Sequence, residues 1–253
     1  MPEYPLTKTH RLELASAFHA VPRVDVAIDC VIEGQMGQAF VDDASQPRAY
    51  QIRTGPFAYH AGDPAAGRAL LDALPPYTLL MPSAPGWTAA AEAAFGERLR
   101  PMDRYSLSAA ALSTEQLEHC LAASGWRERV QPLERGLVAA LWGHEHFIDV
   151  SDYDSADDFG ERGLGYYVSD AGAIAGAAYA SLICSRGAEV SLYVEPDYRR
   201  RGMATALAAQ LALGCQARGL EPHWDAANPE SVALALKLGY THPAPYRAHV
   251  LMP

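Results

Sequence analysis

The chain has 253 residues, 49% of them hydrophobic and 20% charged, which is enough apolar material for one large core or two modest ones and rules out a disordered chain. Its formal net charge of −10 disfavours a general nucleic-acid binder, which needs Lys and Arg to neutralise phosphates; such a field favours a cationic partner such as an amine, although ordinary solubility accounts for most of it. Four cysteines without C-x-x-C spacing (Cys30, Cys120, Cys184, Cys215) read as reduced, mostly buried thiols, and neither a secretory signal nor a bilayer-length apolar run is visible, so a cytoplasmic protein without a membrane partner is expected.

The first half, residues 1–125, is expected to be a smaller α/β domain. Residues 11–20 carry a loose helical pattern, and the β-branched stretch 24–32 predicts a strand. Gly and Pro clusters between residues 55 and 86 mark turns between short elements, with a buried strand at 77–81. An Ala-rich helix at 87–95 should stop near Gly96, and another should run from an N-cap at Ser113 through Leu117 and Leu121 to Gly125. No catalytic constellation is apparent here.

Residues 126–253 have a clearer grammar. A strand at 127–133 and a helix at 134–142 precede a short helix at 155–161, capped by Ser155, with Asp157 and Asp158 in its first turn. Three strands follow at 165–169, 173–184 and 188–194, joined by hairpin-length turns. Met203, Leu207, Leu211 and Cys215 then recur at helical spacing up to Arg218-Gly219. A strand at 223–226, a helix at 229–238 and terminal extended segments complete a mixed α/β sheet.

Between strand and helix lies Val194-Glu195-Pro196-Asp197-Tyr198-Arg199-Arg200-Arg201-Gly202-Met203-Ala204-Thr205. Gly202 and Ala204 remove bulk where the helix begins, leaving amides from Arg200 to Thr205 to face an anion at the positive helix end. On that spacing alone a solvated basic turn is the commoner outcome.

The segment resembles the pyrophosphate loop of the GNAT acetyltransferase superfamily, Q/R-x-x-G-x-G/A, with Arg199, Gly202 and Ala204 at the defined places. The preceding Leu192-Tyr193-Val194 is similar to the family strand that pairs with pantetheine and holds the acetyl carbonyl. Trp224-Asp225-Ala226-Ala227-Asn228-Pro229-Glu230-Ser231, followed by residues 235–240, resembles the second cofactor segment. The wording is closest to the subgroup that includes the zwittermicin A resistance acetyltransferase, which also shows something like Ser155-x-x-Asp158-Phe159 and Gly163-x-Gly165.

The resemblance implies a GNAT-type domain over 126–253 that binds acetyl-CoA through Leu192, Tyr193, Val194, Arg199, Arg200, Arg201, Gly202, Met203, Ala204, Thr205, Asn228 and Ser231, and transfers acetyl to a primary amine of a small molecule. Asn228 reads first as a helix N-cap before Pro229, and the resemblance adds a contact to the CoA arm. Amine acetylation needs a base, an oxyanion donor and an acid for the thiolate. The Val194 amide is the oxyanion candidate. Strand alternation puts Glu189, Ser191 and Tyr193 on one face and Val190, Leu192 and Val194 on the other, so Glu189 is expected to face the cleft, either as base, as a group that orients the substrate, or as a solvated carboxylate. Many family members have a tyrosine seven places after the asparagine; here that position is Ala235, which leaves Ser231, Tyr240 or water as the acid. The absent tyrosine also supports a rival reading, a CoA-binding module without turnover.

The remaining clusters carry less. His144-Glu145-His146 suggests no third ligand, so no metal is expected, and the acidic run of Asp149, Asp152, Asp154, Asp157 and Asp158 reads as a solvated loop or as a lip for a cationic amine. The first half is expected to shape the acceptor pocket or a homodimer interface, or to be a degenerate copy of the same fold, although no internal repeat supports that.

Overall fold

In the computed structural model, which describes residues 2–142 and 148–253, contacts divide the chain into two units. One is Met1–Arg104 with Pro245–Pro253, and the other is Tyr105–Ala244. The His144-Glu145-His146 segment lies outside the described residues. The division falls at Arg104/Tyr105 and not at residue 125, because Leu117, Cys120 and Leu121 share a core with Ala208, Ala209 and Ala212 and so belong to the second unit.

The first unit contains α1 (Lys8–Ala17), α2 (Ala27–Ile32), β1 (Gln38–Val41), β2 (Ala49–Thr54), β3 (Phe57–Gly62), α3 (Arg68–Asp72), β4 (Leu79–Leu80), α4 (Trp87–Phe95) and the first residues of β5 (Leu99–Ser108). β1, β2 and β3 form an antiparallel meander, and β4 runs parallel to β3. The expected strand at 24–32 is instead α2: the Asp25 carboxylate accepts the Ala27 amide at 2.8 Å, which turns the chain into a helix. Ala27, Ile28, Cys30 and Val31 are all buried, so packing overrides the β-branched propensity.

The second unit contains the end of β5, then α5 (Thr114–Ala123), β6 (Gln131–Pro132), α6 (Arg135–Leu141), α7 (Ala156–Arg162), β7 (Gly165–Asp170), β8 (Ala173–Ile183), β9 (Gly187–Val194), α8 (Met203–Ala217), β10 (Glu221–Ala226) and α9 (Pro229–Leu238); β11 (Thr241–Leu251) begins in it. Ser113 and Ser155 cap their helices as expected, accepting the amides of Gln116 and Asp158. The strand expected at 127–133 shrinks to β6, because Arg127–Arg129 closes a tight helical turn with Arg129 and Val130 donating back to Trp126 and Arg127. β7, β8 and β9 pair antiparallel, β9 pairs parallel with the start of β10, and the end of β10 pairs antiparallel with β5. α8 buries an Ala-rich face that lets it lie close to this sheet. Among the described residues no helix is long and apolar enough to cross a membrane.

His60 in β3 generates a stability prediction. Gln51 Oε1 accepts from Arg53 Nε at 2.6 Å, and Gln51 Nε2 donates to the Leu70 carbonyl at 3.0 Å, which orients the amide. Gln51 Nε2 therefore also donates to His60 Nε2, 2.7 Å away, and the imidazole is neutral. Burial, with the Arg53 charge, pushes its pKa down to about 3 from 6.5. The unfolded chain takes up that proton as pH falls below 6.5 and the folded chain does not, so stability is lost progressively towards pH 3. Between pH 6 and 4 the unfolding free energy of the wild type should fall more steeply than that of His60→Gln, by about 1.4 kcal/mol per pH unit. Denaturant titrations across that range test this, and equal slopes refute it.

Candidate active site

The parallel pairing of β9 and β10 covers Gly187–Glu189 against Glu221–His223 and ends there. Beyond it β10 pairs with β5, Trp224 opposite Leu107 and Ala226 opposite Tyr105, while β9 pairs with β8. The two strands therefore part after Glu189 and His223, forming a fork. The Glu195 amide donates to the Ala175 carbonyl at 2.9 Å, so ladder alternation turns the N–H and C=O of Val194 and Leu192 to the other edge of β9, the one β10 has left. Arg199 Nε reaches back to that edge and donates to the Val194 carbonyl at 2.8 Å, with its guanidinium 5.6 Å from the Tyr193 ring centre.

Glu189 sits at the vertex. The alternation holds, since Val190 and Leu192 pack into the core beneath α8, but Glu189 is 8% exposed and does not face an open cleft. Its Oε1 accepts the Asp225 amide at 3.1 Å and its Oε2 lies 3.0 Å from His223 Nδ1. The carboxylate thus replaces the main-chain acceptor that Asp225 loses where the strands separate.

The loop between β9 and α8 has the geometry of an anion cradle. Arg200 (φ 61°) and Gly202 (φ 85°) both adopt left-handed backbone around Arg201, a local pattern that aims neighbouring amides the same way. The Arg199 amide donates to Pro196 and the Ala206 amide to Gly202, but among the described residues the amides of Arg200 to Thr205 donate to no protein acceptor. Gly202 is required for a second reason: a Cβ there would lie 2.6 Å from the Ser124 carbonyl oxygen. Arg200 and Arg201 are exposed, and the first turn of α8 contributes no acidic side chain. An open row of donors of positive potential suits a diphosphate.

The remaining candidates divide. Asn228 caps α9, its Oδ1 accepting the Ser231 amide at 2.9 Å. Ser231 Oγ accepts from Trp224 Nε1 at 3.0 Å, which leaves its own proton to donate. Tyr240 drops out as an acid: it is 1% exposed, its hydroxyl donates to the Pro222 carbonyl at 2.8 Å, and burial pushes its pKa well above 10. Ala235 is fully buried in the core with Leu238 and Tyr240. In the acidic run, Asp157 pairs with Arg135 and Asp158 with Arg162, which hydrogen-bonds the carboxyl and holds it below its usual range; those two charges are spent on structure. Among the described residues, no group of three or more His, Cys, Asp or Glu could hold a metal ion.

Several residues of the site escaped sequence reasoning. His223 shares a strand face with Asp225, so alternation could have placed it beside Glu189 once the strand pairing was known. Trp126 and Asp170 contact the loop, and Arg129 joins the two, only through the fold, and no local signal marks them.

Comparison with known proteins bears on the whole arrangement. The sequence profile of the GNAT acetyltransferase family matches residues 19–249. The chain is 29% identical over 90 residues to the uncharacterized N-acetyltransferase YdfB of Bacillus subtilis, covering 35% of this chain and 34% of that protein. It is 29% identical over 98 residues to the ribosomal protein bS18-alanine N-acetyltransferase of Escherichia coli, covering 38% and 66%. The aligned part thus spans about a third of the first relative and just under two thirds of the second. A GCN5-related N-acetyltransferase-like protein from Streptococcus suis superposes with a TM-score of 0.83 at 28% identity, over 95% of this chain and 97% of that one. The profile runs through both units, including the first half that carries no motif, and the fork and cradle lie inside it: the chain belongs to the GNAT acetyltransferase family.

Proposed function

We propose that the chain moves an acetyl group from acetyl-CoA to the primary amine of a small molecule, by direct attack in a ternary complex. The observation that carries this reading is the row of unpartnered amides from Arg200 to Thr205 beside an open strand edge bearing the Val194 and Leu192 amides. The row would hold the diphosphate, and the edge would pair with the pantetheine arm and present the thioester at Val194. Asn228 Nδ2, which its capping role leaves over, and the side chains of Arg200 and Arg201 would complete the cofactor contacts.

The neutral amine attacks the thioester carbon; a C–N bond forms, the C–S bond breaks, and the amine proton must leave as the thiolate gains one. The Val194 N–H donates to the carbonyl oxygen as negative charge develops there. Glu189, held at the vertex by Asp225 and His223, accepts the amine proton through water. Ser231 is the side chain left to protonate the thiolate, Tyr240 being committed to Pro222. An acyl-cysteine route has little support: all four thiols are buried, and burial pushes Cys215 up to about 12.

The resemblance to the zwittermicin A resistance subgroup favours amino-bearing antibiotics as acceptors. The Escherichia coli relative is named for acetylating an alanine of a ribosomal protein, so peptide N-termini belong in any acceptor panel. The buried Ala235 favours a second reading, a CoA-binding module that does not turn over. Thiol release from acetyl-CoA with a broad amine panel separates them. Release above hydrolysis with at least one amine is expected, and tight CoA binding without any release would favour the module.

Two substitutions test the assignments. Ala204→Glu places a carboxylate in the first turn of α8, where it favours the helix and opposes a diphosphate. Affinity for CoA should fall at least about tenfold with no loss of thermal stability, and unchanged affinity would contradict the cradle. Gly202 is a poorer test site because any side chain there meets Ser124. Glu189→Gln keeps an acceptor for the Asp225 amide but loses the base; kcat should fall on the order of 100-fold and the rate optimum move to higher pH. An unchanged pH profile would remove Glu189 from that role.

A further inference from the structure

A second set of contacts braces the cradle from behind. Tyr198, at its start, donates through its hydroxyl to Asp170 Oδ2 at 2.7 Å. Arg129 Nη2 donates to the other oxygen of Asp170 at 2.8 Å and to the Ser169 carbonyl at 2.9 Å. The same guanidinium lies 4.8 Å from the ring centre of Trp126, whose Nε1–H donates to the Arg201 carbonyl at 2.6 Å. The arc Tyr198–Asp170–Arg129–Trp126–Arg201 thus closes on the loop at both ends. The hydrogen bonds from Tyr198 and Arg129 hold the Asp170 carboxyl below its usual range, so it stays ionised and can anchor both donors.

The contact at Arg201 has a particular consequence. In a regular helix the Thr205 amide would bond to the carbonyl four residues back, which is that of Arg201. Here the first such bond of α8 is Ala206 to Gly202, and the Arg201 oxygen is taken by the indole. Gly202, at φ 85°, breaks the helical path ahead of Met203, and the indole fixes the direction in which the freed Arg201 carbonyl points.

We propose that Trp126 and Tyr198 are positioning residues for cofactor binding: they hold the Arg201 and Tyr198 ends of the loop so that the amides up to Thr205 stay open to a diphosphate. The inference rests on the acetyl-CoA reading above and adds Tyr198 within the loop and Trp126, which is far from it in sequence. Neither residue touches the reacting atoms. Their removal should weaken cofactor affinity without unfolding the chain, since the ring in Trp126→Phe still packs and Tyr198→Phe loses only a hydroxyl.

The test is calorimetric titration of coenzyme A into the wild type, Trp126→Phe and Tyr198→Phe, with the thermal midpoint of each and amide hydrogen exchange at Thr205 with and without coenzyme A. CoA affinity should fall about tenfold in Trp126→Phe, the size of one loop amide-to-diphosphate hydrogen bond lost, and by a smaller factor in Tyr198→Phe. The midpoints should stay put, and coenzyme A should protect the Thr205 amide from exchange less in Trp126→Phe than in the wild type. Wild-type affinity in Trp126→Phe, or a loss of affinity that only tracks a lowered midpoint with the protection of Thr205 by coenzyme A unchanged, overturns the brace and leaves the acetyl-CoA reading standing. A wild type that does not bind CoA removes both.

Discussion

Two parallel strands that pair and then part leave main-chain donors and acceptors facing a gap, and a protein must supply something for them. In this chain β9 and β10 separate after Glu189 and His223, and the rest of the site follows from that event. At the vertex the Glu189 carboxylate takes the Asp225 amide that would otherwise be stranded. Further along, among the described residues, nothing replaces β10 against the outer edge of β9 apart from Arg199 on the Val194 carbonyl. An edge left open beside a loop of unpaired amides is the place for a ligand that can act as a strand and carries an anion.

The loop can stay open because its surroundings are small or rigid. α8 approaches the sheet on alanines, which brings its first turn close to the end of β9. Gly202 lets the Ser124 carbonyl approach to a distance no side chain would tolerate, so the turn after α5 forms the back wall of the cradle. Arg200 holds a left-handed backbone that an arginine adopts at some cost, a strain that fits a segment shaped for binding and not for stability.

The sequence carried the second unit well and the first unit poorly, for physical reasons. The helices at α4, α5, α7 and α9 showed caps and stops in local residue chemistry, and the strands β7 to β9 showed alternation punctuated by turns. The meander β1–β3 is short and irregular in pattern, with buried Gln51, Thr54 and His60 interrupting the apolar code. Residues 24–32 read as a strand because Val26, Ile28 and Val31 are β-branched, and only the turn made by the Asp25 carboxylate on the Ala27 amide and tertiary burial reverse that preference. In the site, the loop and its glycine were visible as a local motif. The burial of Glu189, the loss of Tyr240 to Pro222 and the brace through Trp126 depend on residues many positions apart. No window of sequence contains them.

The position of Glu189 joins architecture to chemistry. A carboxylate open to solvent would hold substrate loosely and compete with water for every proton. One fixed at the fork by an amide and an imidazole has its direction set before any ligand arrives, which lowers the reorganisation needed when charge moves. The same fixing limits its reach, because an oxygen already accepting from Asp225 cannot swing out to meet an amine. In the proposed mechanism a proton leaving the substrate therefore comes to the vertex, with an ordered water in the gap between the parted strands as the simplest carrier. In the proposed mechanism the residue that closes the vertex and the residue that receives the proton are one, which would confine the chemistry to where the strands diverge.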